Sequence, residues 1–282
     1  MPTNVMTGVF HRVEKKYILT REQFEAVLVE INKKLNPDIG FGHEDGKYSI
    51  ASLYYDSPDM RFVRQAYESP GYKEKLRIRT YGVPSLDALV YVEIKKKIKG
   101  LGNKRRFEMP LRDAYEFLET NVILDKYQNS ETGNVQVLKE IVNMHGRYGR
   151  EIKPAALISY NRMAFNGAGN EGLRISFDYD VKGRQYDLRL ELGAYGTDFL
   201  CARKLLTQFP AETKVSVFTT GCEKFAEQTF LTDNYVIMEI KTLNAFPLWL
   251  TKLLGSLGIN PQSFSKYKTM YHSMIKVEAQ NV

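Results

Sequence analysis

The sequence is poor in cysteine and histidine, the side chains that build disulfide frameworks and many transition-metal sites. Its 282 residues include two cysteines and four histidines. Cys201 and Cys222 have no second cysteine or histidine at the spacing of about two to four residues that is typical of a zinc site. We therefore expect reduced thiols and a cytoplasmic location, without a disulfide framework or a structural zinc ion.

Long apolar runs, internal repeats and low-complexity linkers are also absent. No stretch approaches the roughly 18 apolar residues that would span a bilayer, and the first residues lack the basic and apolar regions of a secretory signal. The sequence therefore predicts no membrane span and a single domain over residues 1–282. Residues 181–234 have a short, broken pattern and form a candidate insertion, within which 186–192 is a candidate strand.

The sequence is rich in segments that alternate apolar and polar residues, as half-buried strands do. They lie at about 11–19, 47–56, 72–81, 88–98, 104–109, 154–165, 172–180 and 235–242. Eight such segments are typical of a closed antiparallel barrel or a strongly curved sheet.

Helical spacing occurs between and after these segments. A helix over about 20–34 has Thr20 as its expected N-cap and Gln23 three residues later. Further helices are expected at about 110–120, 134–146, 247–258 and 266–277. The predicted fold class is α+β and mainly β, with helices decorating an antiparallel eight-stranded barrel.

Basic residues exceed acidic ones, with 40 Lys and Arg against 33 Asp and Glu and a formal net charge of +7. This excess suggests an anionic partner but does not distinguish nucleic acid, a membrane or a phosphate compound. The positions of the charges are more informative, because several predicted strands carry them on one face. One strand places Lys75, Arg77 and Arg79 side by side in this way. Equivalent positions in other strands are Glu14, Lys16, Glu93, Lys95, Lys97, Arg174, Glu239 and Lys241.

On any one strand the simplest interpretation of such a face is exposure to solvent. Because five or six strands share the pattern, we favour a barrel whose lumen is lined by lysine and arginine. Cations in a confined space repel one another unless an anion joins them, and phosphate groups meet this need through charge-assisted hydrogen bonds. Mg²⁺ and Mn²⁺ are held by one or two carboxylates together with substrate phosphate oxygens, which makes Glu239 and Glu93 candidate metal ligands.

At these residues the sequence resembles a known family, the VTC-type polyphosphate polymerase domain of the triphosphate tunnel metalloenzyme (CYTH-like) superfamily. The resemblance runs through most of the chain and depends on the order and spacing of short motifs. They are EKKY at 14–17, SLYYDS at 52–57, KLRIRTYG at 75–82, YVEIK at 91–95, NKRRF at 103–107, SYNRMAF at 159–165, LRISFD at 173–178, MEIK at 238–241 and FSKY at 264–267.

The resemblance implies an eight-stranded tunnel in which basic residues bind triphosphate or polyphosphate with a divalent metal, Mn²⁺ or Mg²⁺. The implied catalytic, phosphate-binding positions are Lys16, Arg77, Arg79, Lys95, Lys104, Arg162, Arg174 and Lys266. Lys75, Lys97 and Lys241 join them as candidate substrate-binding residues, and the candidate metal ligands are Glu239, Glu93 and Glu14. Arg162 and Lys266 depend on the resemblance alone.

The family comparison also implies the reaction, which is transfer of the γ-phosphate of ATP to a growing polyphosphate chain. The N-terminal signature of two glutamates and a lysine is incomplete here, because position 12 is Arg12 and only Glu14 and Lys16 remain. That variation also occurs in the polymerase branch, so it favours a polymerase over a triphosphatase.

Two alternatives stay open. One is a triphosphate or polyphosphate hydrolase, and the other is a protein that binds polyphosphate, inositol phosphates or nucleic acid without chemistry. Nucleic acid is disfavoured, because the aromatic residues are expected mainly on the face opposite the cations rather than interleaved with them. The carboxylates among the cations favour metal chemistry over simple binding. The sequence does not determine an oligomeric state.

Overall fold

The computed structural model describes residues 13–41, 46–68, 71–99, 101–128, 135–148, 151–167, 172–185, 187–192, 228–229, 234–243 and 245–280. Both cysteines, Arg12 and most of the candidate insertion at 181–234 lie outside these residues. The prediction of a single domain stays a prediction.

The strands are β1 (Val13–Thr20), β2 (Leu35–Pro37), β3 (Lys47–Asp56), β4 (Tyr72–Tyr81), β5 (Leu89–Ile98), β6 (Leu101–Pro110), β7 (Lys153–Gly167), β8 (Arg174–Arg184), β9 (Gln228–Thr229) and β10 (Tyr235–Thr242). The helices are α1 (Arg21–Lys34), α2 (Arg61–Glu68), α3 (Leu111–Thr120), α4 (Asp125–Gln128), α5 (Gln136–Arg147), α6 (Leu248–Ser256) and α7 (Lys266–Gln280). Short 3-10 turns lie at Ile39–Phe41 and Leu190–Leu192. No helix in the described part of the chain combines the length and apolar character needed to cross a bilayer.

The strand order in the sheet is β1-β10-β8-β7-β3-β4-β5-β6. It contains the eight strands expected from the sequence, with β1 and β6 as its end strands. The short strands β2 and β9 pair with β7 and β8. Every strand pair with a described register is antiparallel. The predicted fold class, a mainly antiparallel β protein with helices, is therefore confirmed.

The chain forms two compact units. Unit 1 draws its described residues from Met1–Tyr48, Asn161–Tyr179 and Thr232–Phe264, and unit 2 draws its own from Ser49–Tyr160, Asp180–Leu231 and Ser265–Val282. The strands β3, β7 and β8 contribute residues to both units.

In unit 1, one face of the β1-β10-β8 ladder is apolar and packs against α1 and α6. Its core includes Leu19, Ile240 and Phe177 from the strands, with Val27 from α1 and Leu250 from α6. Burying each such side chain contributes about 1.5–3 kcal/mol. Because side-chain direction alternates along a strand, the intervening residues lie on the opposite face.

The start of α1 confirms the predicted N-cap. Thr20 Oγ1 accepts a hydrogen bond from the Gln23 backbone N–H at 3.3 Å, and Gln23 Oε1 accepts one from the Thr20 N–H at 3.0 Å. This reciprocal pair satisfies two backbone donors that the first turn of a helix leaves without partners.

In unit 2, the β3-β4-β5-β6 ladder has the same two-faced construction. Its apolar face includes Leu53, Ile78, Val92 and Phe107 and packs under α3 and α5. A charged network lies at the edge of this face, where the fully buried Glu74 accepts hydrogen bonds from Arg147 Nη2 at 2.9 Å and Tyr148 OH at 3.0 Å.

One local prediction was wrong, and helices α2 and α4 were not predicted. The candidate strand at 186–192 is instead the 3-10 turn Leu190–Leu192, because the buried Leu190 donates its backbone N–H to Tyr115 OH at 2.8 Å rather than to a neighbouring strand. Helix α2 was not expected. Its start is held by Asp56, whose carboxylate accepts the backbone N–H groups of Phe62 and Val63 at 2.7 and 3.1 Å.

Candidate functional site

The polar face of unit 2 contains one buried carboxylate among three cations. We call Glu93, Arg77, Arg79 and Lys104 the Glu93 cluster. Arg77 lies directly opposite Glu93 across the β4-β5 ladder. Its Nε and Nη2 atoms lie 2.8 and 2.6 Å from Glu93 Oε2, and Arg79 Nε lies 3.9 Å from the same oxygen. Lys104 of β6 forms an ion pair with Glu93 Oε1.

Hydroxyl groups hold the two arginines on their other sides. Arg77 Nη1 donates to Tyr54 OH at 3.0 Å, and Arg79 Nη2 donates to Tyr160 OH at 3.2 Å. Arg79 Nε also donates to Ser52 Oγ at 3.3 Å. Each guanidinium group is therefore fixed by partners on neighbouring strands, which pre-organises its planar fork for an anion.

These contacts correct the expected placement of the aromatic residues. Tyr54 and Tyr160 lie with the cations, and Tyr91, directly opposite Arg79 in the β4-β5 register, lies on that face as well. Tyr54 and Tyr160 are only 6% and 4% exposed, so their rings do not offer the open stacking surface that a nucleic acid needs. The burial of these rings and the contacts of their hydroxyl groups depend on the register between strands. The alternation of residues along one strand does not predict them.

The electrostatics of the Glu93 cluster favour an anion. Burial opposes ionisation of Glu93, but the charges of Arg77, Arg79 and Lys104 outweigh it and lower its pKa to about 2. Burial likewise disfavours the charged form of Lys104 and lowers its pKa to about 8, although Glu93 attracts it. Burial would raise the pKa of Tyr54, yet Arg77, Lys75 and Arg79 lower it to about 7. The direction of this shift, against the effect of burial, indicates a positive potential at Tyr54.

The other basic residues predicted in unit 2 are lysines that differ in their contacts and in their exposure. Lys75 lies opposite Lys95, and its Nζ donates to Ser265 Oγ at 2.7 Å. Lys266, the first residue of α7, places its Nζ 4.2 Å from the centre of the Tyr160 ring. Lys95 and Lys97 are exposed. The structure therefore brings Arg77, Arg79 and Lys104 together around Glu93 and leaves Lys97 further out along the strand.

The polar face of unit 1 contains two carboxylates and two lysines, which we call the Glu239 cluster (Glu239, Glu14, Lys16 and Lys241). Lys16 lies opposite Glu239 in the β1-β10 ladder, with its Nζ 3.9 Å from Glu239 Oε2 and 3.7 Å from Glu14 Oε1. Lys241 forms an ion pair with Glu239 Oε1. Lys16 Nζ also donates to the Phe264 carbonyl at 3.4 Å.

Glu239 is 12% exposed at its side chain and stays ionised. Burial raises the pKa of its carboxyl group, but the nearby charges of Lys241, Lys16 and Arg162 together lower it to about 2. The group is therefore a carboxylate at neutral pH and is available as an oxygen ligand.

The two predicted arginines of unit 1 have carboxylate partners that the sequence did not reveal. Arg162 binds Asp178 through Nε at 2.6 Å and Nη2 at 2.8 Å, and both residues are buried. Arg174 Nη2 lies 2.7 Å from Asp38 Oδ2 and donates to Tyr48 OH at 3.1 Å. Asp178 shares a strand face with Arg174 in the sequence, which was the available signal, but its partner depends on the packing of β7 beside β8.

The residues present fit a divalent cation only in part. Across the described residues, no group of three or more Asp, Glu, His or Cys side chains is arranged to hold a metal. Mg²⁺ and Mn²⁺ need fewer protein ligands when phosphate oxygens supply the rest. Glu239 and Glu14, which both approach Lys16, fit that donor set. Glu93 fits less well, because three cations, two of them arginines, surround this single carboxylate, whereas Glu239 shares Lys16 with a second carboxylate, Glu14.

Comparison with known proteins places this geometry in context. The VTC domain family matches residues 11–275 of the chain. Vacuolar transporter chaperone complex subunit 4 of Schizosaccharomyces pombe is 26% identical over 159 residues, which are 52% of this chain and 22% of that protein. The match thus spans about a fifth of the length of that relative.

Two solved structures are similar over most of the chain. HpAC1 from Hippeastrum, studied as an adenylyl cyclase and described as having a dominant triphosphatase activity, aligns with a TM-score of 0.50 and 11% identity over 93% of this chain and 96% of its own. At this identity the likeness shows the fold alone, and it confirms the mainly antiparallel fold expected from the sequence. PH1819 from Pyrococcus horikoshii OT3 aligns with a TM-score of 0.39 and 14% identity over 93% of this chain and 99% of its own, which is too weak to carry an argument.

Proposed function

This chain belongs to the VTC domain family, and from that premise we propose that it transfers the γ-phosphate of ATP to a growing polyphosphate chain, with a divalent metal ion, Mg²⁺ or Mn²⁺. The observation that carries the proposal is the Glu93 cluster, in which one buried carboxylate lies among three cations. The S. pombe relative is a subunit of a vacuolar transporter chaperone complex.

The Glu93 cluster is suited to binding phosphate groups rather than to performing covalent chemistry. Arg77 and Arg79 present guanidinium groups whose positions are held by Glu93, Tyr54 and Tyr160. Pre-organised arginine forks bind phosphate oxygens with little loss of side-chain entropy, and phosphoryl transfer depends mainly on such positioning and charge stabilisation. In this proposal Glu93 keeps the arginines in place and limits their mutual repulsion, and the earlier assignment of Glu93 to the metal is the weaker one.

In the Glu239 cluster, the proposed metal ligands are Glu239 and, beside it, Glu14. A bound Mg²⁺ or Mn²⁺ would neutralise negative charge on phosphate oxygens as the phosphoryl group is transferred. Lys16 and Lys241, which pair with these carboxylates in the present arrangement, are proposed to donate to phosphate oxygens there. Arg162 and Arg174 are proposed as further phosphate-binding residues, held in position by Asp178 and Asp38.

A triphosphatase is the second candidate, because the fold is shared with HpAC1, which has that activity. Hydrolysis and polymerisation require the same binding of phosphate groups and differ in the acceptor. The acceptor is water in hydrolysis and a phosphate chain in polymerisation. The products therefore separate the two functions.

The deciding experiment is incubation of the protein with ATP and Mn²⁺ or Mg²⁺, followed by analysis of the phosphate products. Long polyphosphate with release of ADP supports the polymerase. Orthophosphate alone indicates a triphosphatase, and absence of turnover alongside measurable polyphosphate binding indicates a binding protein. Changing Arg77 and Arg79 together to glutamine should weaken tripolyphosphate binding by about tenfold or more. Arg112→Gln, at an exposed ion pair with Asp87, is the matched control, and unchanged affinity in the double variant would place both arginines outside the site.

A further inference from the structure

The β5-β6 hairpin of unit 2 ends in a short row of apolar side chains that the core does not cover. Ile98, the last residue of β5, lies opposite Leu101, the first residue of β6, and opposite Tyr72 on β4. Ile98 and Leu101 are 51% and 72% exposed, and Tyr72 is half-buried. The three side chains share one face of the sheet, because directly paired residues point to the same side. We call these three residues the hairpin tip.

Hydrogen bonds fix the backbone and the aromatic side chain at the hairpin tip. The Lys99 backbone N–H donates to the Gly71 carbonyl at 2.8 Å, which joins the turn to the start of β4. Tyr72 OH accepts a hydrogen bond from Arg147 Nη1 at 3.4 Å. The apolar row is therefore held in place by the fold itself, so a partner that buries it pays little for ordering the chain.

The sequence of this hairpin is strongly basic. Residues 95–106 contain seven Lys or Arg residues and no Asp or Glu. Further from the tip, a neighbouring helix supplies a counter-charge, since Lys96 and Arg105 both form ion pairs with Glu140 of α5. The charge of the hairpin favours an anionic surface as the partner of its exposed end.

The lysines nearest the hairpin tip lie at the level of its apolar row. Lys97 and Lys99 are the neighbours of Ile98 along the chain, and both are exposed. Lys73, which is half-buried, lies opposite Lys97. One residue of an extended strand adds about 3.3 Å, so Lys97 lies only about that distance from Ile98 along the strand. Long lysine side chains keep their charge in the polar headgroup layer of a bilayer while apolar neighbours enter its boundary.

We infer that the hairpin tip docks onto an anionic lipid bilayer. Ile98 and Leu101 enter the boundary between the headgroups and the acyl chains, and Lys73, Lys97 and Lys99 contact the anionic headgroups. Apolar burial and attraction to anionic lipid add to each other in this kind of peripheral binding. The inference does not depend on the proposed phosphoryl transfer, because the hairpin tip lies outside the Glu93 cluster.

A protein partner fits the hairpin tip less well than a bilayer does. Stable interfaces between proteins bury about 800 Å² on each partner, and their cores are depleted in lysine. The hairpin tip offers two aliphatic side chains and one tyrosine, with lysines directly beside them. Aliphatic, aromatic and lysine side chains in such proximity are typical of segments that lie at a membrane surface.

The test is co-sedimentation of the full chain with phosphatidylcholine vesicles that contain either no phosphatidylserine or about 30% of it, at about 0.1 M salt. We expect the wild type to partition at least about tenfold more strongly onto the anionic vesicles. The double variant Ile98→Ser and Leu101→Ser should lower that partition at least about fivefold. Val122→Ser, at an apolar residue of unit 2 that is 60% exposed, is the matched control and should change nothing.

The charge contribution is tested separately with the double variant Lys73→Gln and Lys99→Gln. Lys97 stays unchanged in it, because that residue is also a candidate substrate-binding residue. We expect at least about a fivefold loss of partition onto the anionic vesicles and no loss for the control Lys139→Gln, which is exposed on α5. Thermal unfolding of each variant shows whether it is folded.

A fluorescence measurement locates the contact with the bilayer. Leu101→Trp places a tryptophan at the hairpin tip in addition to the native Trp249, and acyl chains that carry bromine quench a tryptophan that enters the bilayer. We expect anionic vesicles with brominated lipid to quench Leu101→Trp more than the wild type. The control Val122→Trp should be quenched no more than the wild type.

Several outcomes would overturn the inference. Equal partition of the wild type onto neutral and anionic vesicles would do so, as would unchanged partition of the Ile98→Ser and Leu101→Ser variant. Vesicle binding without quenching of Leu101→Trp would mean that another surface contacts the bilayer. If that serine variant lost affinity for free polyphosphate, or changed from dimer to monomer in light scattering, while its vesicle binding stayed intact, the hairpin tip would belong to a soluble polyanion or to a second copy of the chain.

Discussion

The Glu93 cluster and the Glu239 cluster are both built on a polar sheet face, but their charge balance differs. Glu93 meets three cations, two of them arginines held by tyrosine hydroxyls. Glu239 and Glu14 meet two lysines. The first arrangement has an excess of positive charge and the second is balanced. Under the proposed function, the excess of positive charge in unit 2 favours binding of an anion, and the carboxylate pair in unit 1 favours binding of a cation.

The arginines of the two units also differ in how many carboxylates neutralise their charge. Arg77 and Arg79 share one carboxylate and otherwise contact hydroxyl groups, whereas Arg162 and Arg174 each have a carboxylate of their own, Asp178 and Asp38. A guanidinium group with its own carboxylate is largely neutralised locally, so it contributes less to the positive potential. We therefore expect phosphate binding to depend more on unit 2 and metal-dependent turnover to depend more on unit 1.

The largest expected effect comes from Glu239→Gln. Removing the proposed metal ligand should lower turnover with ATP and Mn²⁺ by at least about a hundredfold, because the charge-neutralising ion is lost. Tripolyphosphate affinity, measured by calorimetry without metal, should stay equal or increase, since Lys16 and Lys241 lose a counter-charge. Glu25→Gln on the exposed face of α1 is the control. Retained activity in Glu239→Gln would make the metal assignment wrong and remove the contrast between the clusters.

A second effect is expected from Glu93→Gln, on stability rather than on metal binding. Leaving Arg77, Arg79 and Lys104 without their buried carboxylate should cost about 3–5 kcal/mol of folding free energy in anion-free buffer. Tripolyphosphate should restore much of this loss, because phosphate replaces the missing charge, and thermal unfolding with and without the ligand measures it.

The control for that experiment is Glu74→Gln, which removes an equally buried carboxylate on the opposite face of the same sheet. It should also destabilise the protein but gain no more from tripolyphosphate than the wild type does. Equal recovery in the two variants would show that Glu93 does not lie at an anion site.

The smallest effect concerns Tyr54 and pH. Its pKa is lowered to about 7, so raising the pH through 7 adds a negative charge beside Arg77 and should weaken tripolyphosphate binding by a fewfold between about pH 6 and 8.5. Tyr54→Phe removes this dependence while leaving the ligand's own titration in place. For folding the sign is opposite: a phenol with a lowered folded-state pKa adds stability as the pH rises from about 7 towards its unfolded value near 10. Identical pH profiles for binding in both proteins would refute the positive potential inferred at Tyr54.

Most of the fold could be predicted from the sequence, because strand alternation and helix capping are local properties. All eight expected strands are present, and Thr20 and Gln23 form the expected cap. The turn at Leu190 was missed because it depends on a distant partner, Tyr115, whereas helix α2 was missed although the residue that holds its start, Asp56, is close in sequence. For the candidate site, the sequence predicted which charged residues share one face of each strand. The sharing of Glu93 among three cations and the pairing of Arg162 with Asp178 lay beyond that prediction, and the convergence of such faces on one lumen stays a prediction.

The sequence by itself determined which side chains lie on the polar face of each strand, because the direction of side chains reverses at every residue of an extended chain. Only the tertiary structure decided which carboxylate serves which cation. Register between strands is set by packing and hydrogen bonding across the sheet, and it places Lys16 against Glu239 from the two ends of the chain. The physical reason is that the charged atoms of an ion pair must lie within a few ångströms of each other. The alternation of side chains along one strand does not determine that distance.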